Sequence, residues 1–215
     1  MGQLARNVLE THENVELTVV EGKVAEIRGN FDILFSASYP SKIPQEWCNR
    51  AALGAVNIHT SLLPEGRGSH PLNWALIWGR DKTGITVHEI TDTYDAGEIC
   101  LQQEVPIFDT DTIVTLKDRV EWMFPNVIAK FFDAPDYYMT TSVRQNQAHA
   151  TYAQKRLPED GEVNEEATPR EIYNFVRAHD PLLYPAFVIV DGIKHYVQKA
   201  ELVDENGEEK CRLIV

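Results

Sequence analysis

The chain has 215 residues, 43% of them hydrophobic and 25% charged, which suits one main folded domain with room for a small appendage. Twenty Lys and Arg stand against 33 Asp and Glu, a formal net charge of -13; such a surface repels phosphate backbones and anionic lipid, so neither nucleic acid nor a membrane is an expected partner. Cys48, Cys100 and Cys211 lie far apart without CxxC spacing, and no basic-then-apolar leader or span-length apolar window is present, so a reduced, cytoplasmic protein is expected.

Taken in chain order, residues 3–11 carry helical spacing, with Leu4, Val8 and Leu9 on one face. Residues 15–20 (VELTVV) and 32–38 (DILFSAS) read as strands, and Pro44 opens a short helix reaching about residue 52. A third strand over 54–58 delivers Asn57 and His59 to its carboxyl end, just before the Pro- and Gly-studded loop SLLPEGRGSHP. Helix is expected over 70–79, strands over 84–90 and 99–105, and a long helix over 112–132. Strands alternating with helices predict an α/β fold with a Rossmann-like, doubly wound parallel sheet, in which ligands bind beyond the carboxyl ends of the strands. Such a domain normally opens with a strand and a Gly-rich turn. Here Met1-Gly2 enters the helix directly, so the first strand is expected to be missing.

The pattern changes near residue 150, giving a division into a main domain over 1–150 and a small C-terminal region over 151–215. Pro169 opens a helix to about 178. Three strand-like stretches follow, 184–190, 193–203 and 209–214, separated by Asp191-Gly192 and Glu205-Asn206-Gly207, which are hairpin signals. This β-rich end makes a homodimer an expectation.

Asp95, in the polar loop TDTYDAG over 91–97, falls at the same end of the sheet as Asn57 and His59. An amide, an imidazole and a carboxylate together suit acyl transfer to an amine. The Asn57 amide and a His59 imidazolium would stabilise the oxyanion of a tetrahedral intermediate. Asp95 would keep His59 cationic and help carry away the proton of the attacking nitrogen. No Ser or Cys nucleophile is needed, because the amine attacks. By spacing alone, a His at a strand end is more often an ordinary hydrogen-bonded residue. The histidines lack ligand spacing and the cysteines do not cluster, so no metal site is expected.

The stretch 57–107 resembles the folate-dependent formyltransferases. The resemblance rests on the Asn-x-His pair, the Ser-Leu-Leu-Pro loop with Arg67-Gly68, the strand TGITVH and the Asp-x-Gly ending at Asp95 to Gly97. It implies that Asn57, His59 and Asp95 are the catalytic trio and that N10-formyltetrahydrofolate is the formyl donor. SYPSKIP (38–44) resembles the segment bordering the family's pterin pocket, which implies folate contacts from Tyr39, Ile43, Thr91 and Asp92.

Among acceptors, methionyl-tRNA is disfavoured by the acidic charge and by the further barrel domain of the tRNA enzymes, which this chain has no room for. The ribonucleotide transformylases generally stop without a segment like YAQKRLPEDGEV (152–163). RGSHPLNWAL (67–76) and the short β-rich end look most like the sugar N-formyltransferases. The expected acceptor is therefore the amine of a nucleotide-linked 4-amino sugar, for instance a dTDP-4-amino-4,6-dideoxy sugar. A glycinamide ribonucleotide transformylase, a formyl-folate hydrolase and a truncated folate- or nucleotide-binding pseudoenzyme remain as alternatives.

Lys42 and Arg67 are candidates for the pyrophosphate of a sugar nucleotide, each offering charge-assisted bonds to phosphate oxygens. His70, Tyr152 and Arg156 are further substrate candidates, each equally readable as a local cap or an interdomain contact. Trp74 and Trp78, four apart on one helical face, read as core. His88 is assigned to sheet packing.

Overall fold

The computed structural model describes residues 1–20 and 29–215, which divide into two compact units. The first comprises 1–68, 84–105 and 119–152; the second comprises 69–83, 106–118 and 153–215. Two stretches from the first 150 residues thus group with the C-terminal part.

The first unit is built on a mixed sheet. Helix α1 (Gly2–Glu10) buries Ala5 and Leu9. Strand β1 (Phe31–Ala37) pairs in parallel with β2 (Ala51–His59), with Ser36 opposite Asn57. The short helix α2 (Gln45–Cys48) lies between them in sequence. β2 then pairs antiparallel with β4 (Lys82–Glu89), and β5 (Ile99–Pro106) completes the order β1-β2-β4-β5. The all-parallel arrangement read from the sequence therefore holds for β1 and β2 and fails at β4. Strand-helix alternation cannot separate the two cases, since a short helix also suits an antiparallel return.

Residues 15–20 form no strand. An extended run becomes a strand only by pairing, and no described residue supplies a ladder to it. The buried residues Leu34, Ile43, Cys48 and Ala55 form one cluster of this unit, with Tyr39, Trp47 and Ile90 packed on it. Helix α4 (Ile113–Asp133) contributes Phe124, Ile128 and Phe131, all at most 1% exposed. Helix α5 (Pro135–Thr140) follows it, and β3 (Arg67–Gly68) and β6 (Tyr152–Ala153) are strands of two residues each.

In the second unit, α3 (Pro71–Ile77) begins at His70, whose φ of 56° is left-handed. Trp74 and Trp78 bring their rings to 5.4 Å and are half-buried, and Trp74 donates its indole N–H to the Gln154 carbonyl. Helix α6 (Pro169–Arg177) starts at a capping box, in which the Thr168 hydroxyl accepts from the Glu171 N–H and the Glu171 carboxylate accepts from the Thr168 N–H.

The hairpin signals produce two hairpins, so the C-terminal end has four strands rather than three: β7 (Phe187–Val190) with β8 (Ile193–Tyr196), and β9 (Lys199–Glu205) with β10 (Glu208–Ile214). Asp191-Gly192 and Asn206-Gly207 all have positive φ, as the tight turns require. Val163, Val176, Ala186, Val188, Val197 and Ala200 form the core of this unit. Among the described residues, no helix is long and apolar enough to cross a membrane.

Candidate active site

Asn57 and His59 are two apart on β2, so both side chains leave the same face of the sheet, while Ile58 turns to the other face and is buried. The antiparallel register sets His88 directly opposite Asn57 and Thr86 directly opposite His59. Cross-strand neighbours on one face lie within side-chain reach, so these four residues form a polar patch on an otherwise apolar sheet. Thr86 and Gln102 anchor the Ser61–Pro64 loop: the Thr86 hydroxyl donates to the Ser61 carbonyl at 2.7 Å and the Gln102 amide donates to the Leu63 carbonyl at 2.8 Å. That loop brings the Gly66 carbonyl to 2.8 Å from His59 Nε2.

A carbonyl can only accept, so the His59 Nε2 carries the proton and Nδ1 of the neutral ring is a free lone pair. Asp95 Oδ2 lies 3.9 Å from that Nδ1, too far for a hydrogen bond but close enough for an ion pair once Nδ1 is protonated. Burial pushes the His59 imidazole below its ordinary value, against the opposing pull of Asp95 and of the Gly66 carbonyl. The resting ring is therefore neutral near pH 7, and the cationic His59 expected from the sequence gives way to a base with an open acceptor. Desolvation of the ring outweighs one carboxylate at this distance.

Asp95 sits in the loop between β4 and β5 with a left-handed φ of 52°. Its Oδ2 accepts the Gly68 N–H at 2.8 Å, and its Oδ1 lies 3.4 Å from His88 Nε2. Burial raises its pKa, but the His88 contact, the His59 charge and the Gly68 N–H outweigh that and hold the carboxyl at about 2.

His88, expected in sheet packing, lies against both Asn57 and Asp95. It is 2% exposed, and Nδ1 lies 2.8 Å from the Glu89 carbonyl, so that nitrogen carries a proton. Nε2 then faces two partners, the Asn57 amide nitrogen at 3.2 Å and Asp95 Oδ1. His88 thus links the amide and the carboxylate of the trio. The available signal was parity: Thr86 and His88 alternate with apolar Ile85 and Val87, which puts both polar residues on one face of a buried strand.

The residues expected at the pterin lie in the same unit. Ile43 is 8% exposed and Tyr39 packs on its cluster, so the Ile43 side chain anchors the segment and leaves the segment's backbone to meet a ligand. Thr91 and Asp92 are exposed; the Thr91 hydroxyl donates to the Thr93 carbonyl, and Asp92 lies 3.6 Å from Lys42. That contact ties the 38–44 segment to the 91–95 loop. An apolar flank beside an exposed polar loop fits a flat heteroaromatic ring with polar edges.

Arg67 does not suit the pyrophosphate contact expected of it. Its side chain is fully buried, with Nε and Nη2 donating to Gln145 Oε1 at 3.1 and 2.7 Å, and Nη1 donating to Gln147 and to the Tyr152 hydroxyl. A phosphate would have to displace these acceptors from an enclosed site. Tyr152 keeps an exposed ring, 5.6 Å from the guanidinium. His70 and Arg156 belong to the second unit. There His70 Nδ1 accepts the Arg156 backbone N–H, and the Arg156 guanidinium bonds the Asp160 carbonyl and His179 between the rings of Trp74 and Phe175. Arg156 is thereby committed to its own unit's packing, whereas His70 remains exposed. Among the described residues, no three His, Cys, Asp or Glu side chains group as metal ligands.

Residues 14–130 match the family model of the formyl transferases, more than half of the chain. The chain belongs to this family. Among curated formyltransferases, the methionyl-tRNA formyltransferase of Fusobacterium nucleatum is 32% identical over 160 residues, covering 74% of this chain and 52% of that protein. The chain therefore spans about half the length of the curated relative it matches. Among solved structures, a Mycobacterium tuberculosis protein described as a likely sugar N-formyltransferase aligns over 95% of this chain and 94% of its own, with a TM-score of 0.74 and 22% identity. The N-formyltransferase of Helicobacter canadensis, solved with folinic acid and dTDP-3-aminofucose, aligns over 80% of this chain and 62% of its own, with a TM-score of 0.65 and 22% identity. At these identities the likeness is one of fold.

Proposed function

We propose that this formyltransferase moves the formyl group of N10-formyltetrahydrofolate to the amine of a nucleotide-linked 4-amino sugar. The observation that carries the chemistry is the free Nδ1 of His59 facing the Asp95 carboxylate beside the Asn57 amide. When bound, the folate supplies an activated formyl carbon. The chain's own groups do the rest. His59 would accept at Nδ1 the proton that an attacking amine must lose, with Asp95 stabilising the imidazolium so formed, and would return that proton to N10 as the bond between N10 and the formyl carbon breaks and tetrahydrofolate leaves. The Asn57 amide has one N–H directed to His88 and a second to donate to a carbonyl oxygen as it gains charge. The backbone around Ile43, with Tyr39 and the Thr91–Asp95 loop, holds the pterin.

The sugar assignment is supported by the end-to-end structural match to a protein described as a likely sugar N-formyltransferase and by the dTDP-amino sugar bound to a second neighbour. Lys42 and Tyr152, both in the first unit, present exposed groups for the nucleotide sugar. The exposed Ile193 and Tyr196 of β8 support a dimer, and the reduced cysteines support a cytoplasmic site of action. A second reading, methionyl-tRNA as acceptor, is favoured by the 32% identity to the Fusobacterium enzyme and opposed by the net charge of -13.

Mass spectrometry after incubation with N10-formyltetrahydrofolate tests both readings. The acceptors are dTDP-, UDP- and GDP-linked amino sugars carrying the amine at C3 or C4, glycinamide ribonucleotide and methionyl-tRNA. A formyl mass on one 4-amino sugar supports the proposal. Formylation of methionyl-tRNA or the ribonucleotide alone overturns the sugar assignment, and folate binding with no modified acceptor favours the pseudoenzyme.

A further inference from the structure

Arg67 presents a physical problem that the trio does not explain. Its cation is fully buried, yet its hydrogen-bond partners are neutral: Gln145, Gln147 and Tyr152. No ion pair to Arg67 is found among the described residues. A buried charge satisfied only by neutral groups adds little stability over a well-packed apolar side chain. Its effect lies instead in what it holds.

Arg67 holds Gln145. That side chain is 7% exposed and fully engaged. Its Oε1 accepts two N–H groups from Arg67, and its Nε2 donates to the Asp95 carbonyl at 2.8 Å and the Gly97 carbonyl at 2.7 Å. A guanidinium only donates and a carbonyl only accepts, so the amide has one orientation. The two carbonyls bracket the turn Asp95-Ala96-Gly97. On its other side the turn is pressed on the strand, since a Cβ at Gly97 would stand 1.9 Å from the Glu89 carbonyl oxygen. The same oxygen receives the His88 Nδ1 proton. Gly68, next to Arg67, donates its N–H to the Asp95 carboxylate. A non-glycine residue in the left-handed region persists only where its surroundings over-determine it, and Asp95 is such a residue.

We infer that Gln145, clamped by Arg67, is a positioning residue that fixes the Asp95 turn and so aims the carboxylate at His59 and His88. This rests on the formyl-transfer reading for its effect on rate; its effect on the histidine rings is independent of any activity. Gln145 lies outside the motif-bearing stretch 57–107 and acts through Asp95 without touching a reactant.

The test compares the wild-type chain with Gln145→Glu, Gln145→Met and Asp95→Asn by NMR of ¹⁵N-labelled histidine rings. Glu keeps an acceptor for Arg67 but has no N–H for the two carbonyls; Met removes both functions without adding charge. If Gln145 positions Asp95, the His59 titration midpoint falls in both Gln145 variants and the His88 ring resonances shift, each toward their Asp95→Asn values. An added charge acting by itself would move the His59 midpoint up in the Glu variant. With an acceptor identified, kcat falls at least tenfold in the Glu variant while KM for the acceptor stays within twofold. Either folded variant decides. Histidine spectra and midpoint matching wild type, with only the melting temperature lowered, overturn the inference in favour of a structural role. Absence of turnover in the wild type would count against the formyl-transfer reading and leave the NMR comparison decisive for Gln145.

Discussion

His88 Nε2 lies 3.4 Å from Asp95 Oδ1, closer than the 3.9 Å between His59 Nδ1 and Asp95 Oδ2. The carboxylate is thus shared between two histidines on neighbouring strands, and one of them also meets Asn57. Because His88 Nδ1 is committed to the Glu89 carbonyl, Nε2 serves one partner at a time. Protonated, it donates to Asp95; neutral, it accepts from Asn57.

Replacement of His88 therefore separates geometry from chemistry. His88→Gln is expected to lower kcat on the order of 10- to 100-fold with KM little changed, because His59 remains while its partners lose their common contact. Steady-state kinetics with the identified acceptor measure it. A KM effect alone would place His88 in substrate binding.

Loss of the base or its counter-charge is more severe. His59→Ala and Asp95→Asn should each lower turnover on the order of 10²- to 10⁴-fold, with circular dichroism and melting showing a folded chain. Turnover within a few-fold of wild type in either variant would remove that residue from the mechanism.

The acid limb of the rate profile follows from the direction of the His59 shift. The active ring is neutral, and burial lowers its pKa, so activity should persist on acidification through pH 6.5 and decline only below it. The profile of kcat/KM against pH is the measurement. An acid limb centred above 6.5 would mean that the cationic ring is favoured after all.

Stability has its own acid dependence, centred in the second unit. His179 donates Nδ1–H to the Phe175 carbonyl and accepts from Arg156 at Nε2; burial, opposed by that carbonyl and reinforced by the Arg156 charge, holds its pKa at about 4. A depressed folded pKa means this contribution is fully present above the unfolded value near 6.5 and is lost as pH falls toward 4. Urea unfolding across that window should show a loss of about 3 kcal/mol that His179→Gln flattens. Asp95 adds a later loss, between its unfolded value near 4 and about 2.

At Gly97 the cost is steric. A methyl group would overlap backbone at the Glu89 carbonyl, with no flexible side chain to yield. Gly97→Ala should destabilise by roughly 2–4 kcal/mol and lower kcat together, since the Asp95 turn must move. Melting temperature and turnover report the two effects.

Much of the candidate site's geometry is legible in the sequence alone. Asn57 and His59 share a face because strand periodicity is two, a local rule that needs no partner strand. Asp95 followed from its place in a loop after the next strand, and the hairpins from Asp191-Gly192 and Asn206-Gly207, whose turn chemistry is written in two residues. Longer relations were not legible. Residues 15–20 carry strand-like composition, but a strand exists only through a partner ladder. The direction of β4 against β2 is likewise a property of the pair, and it alone puts His88 opposite Asn57.

The sequence by itself determined the family, the shared strand face of Asn57 and His59 and the local turns, because each rests on residue identity and short-range backbone preference. Tertiary structure decided the burial of His59 and Arg67 and the contacts of His88 and Gln145. These depend on desolvation and on distances between residues 31 to 78 positions apart, which residue spacing along a chain does not encode.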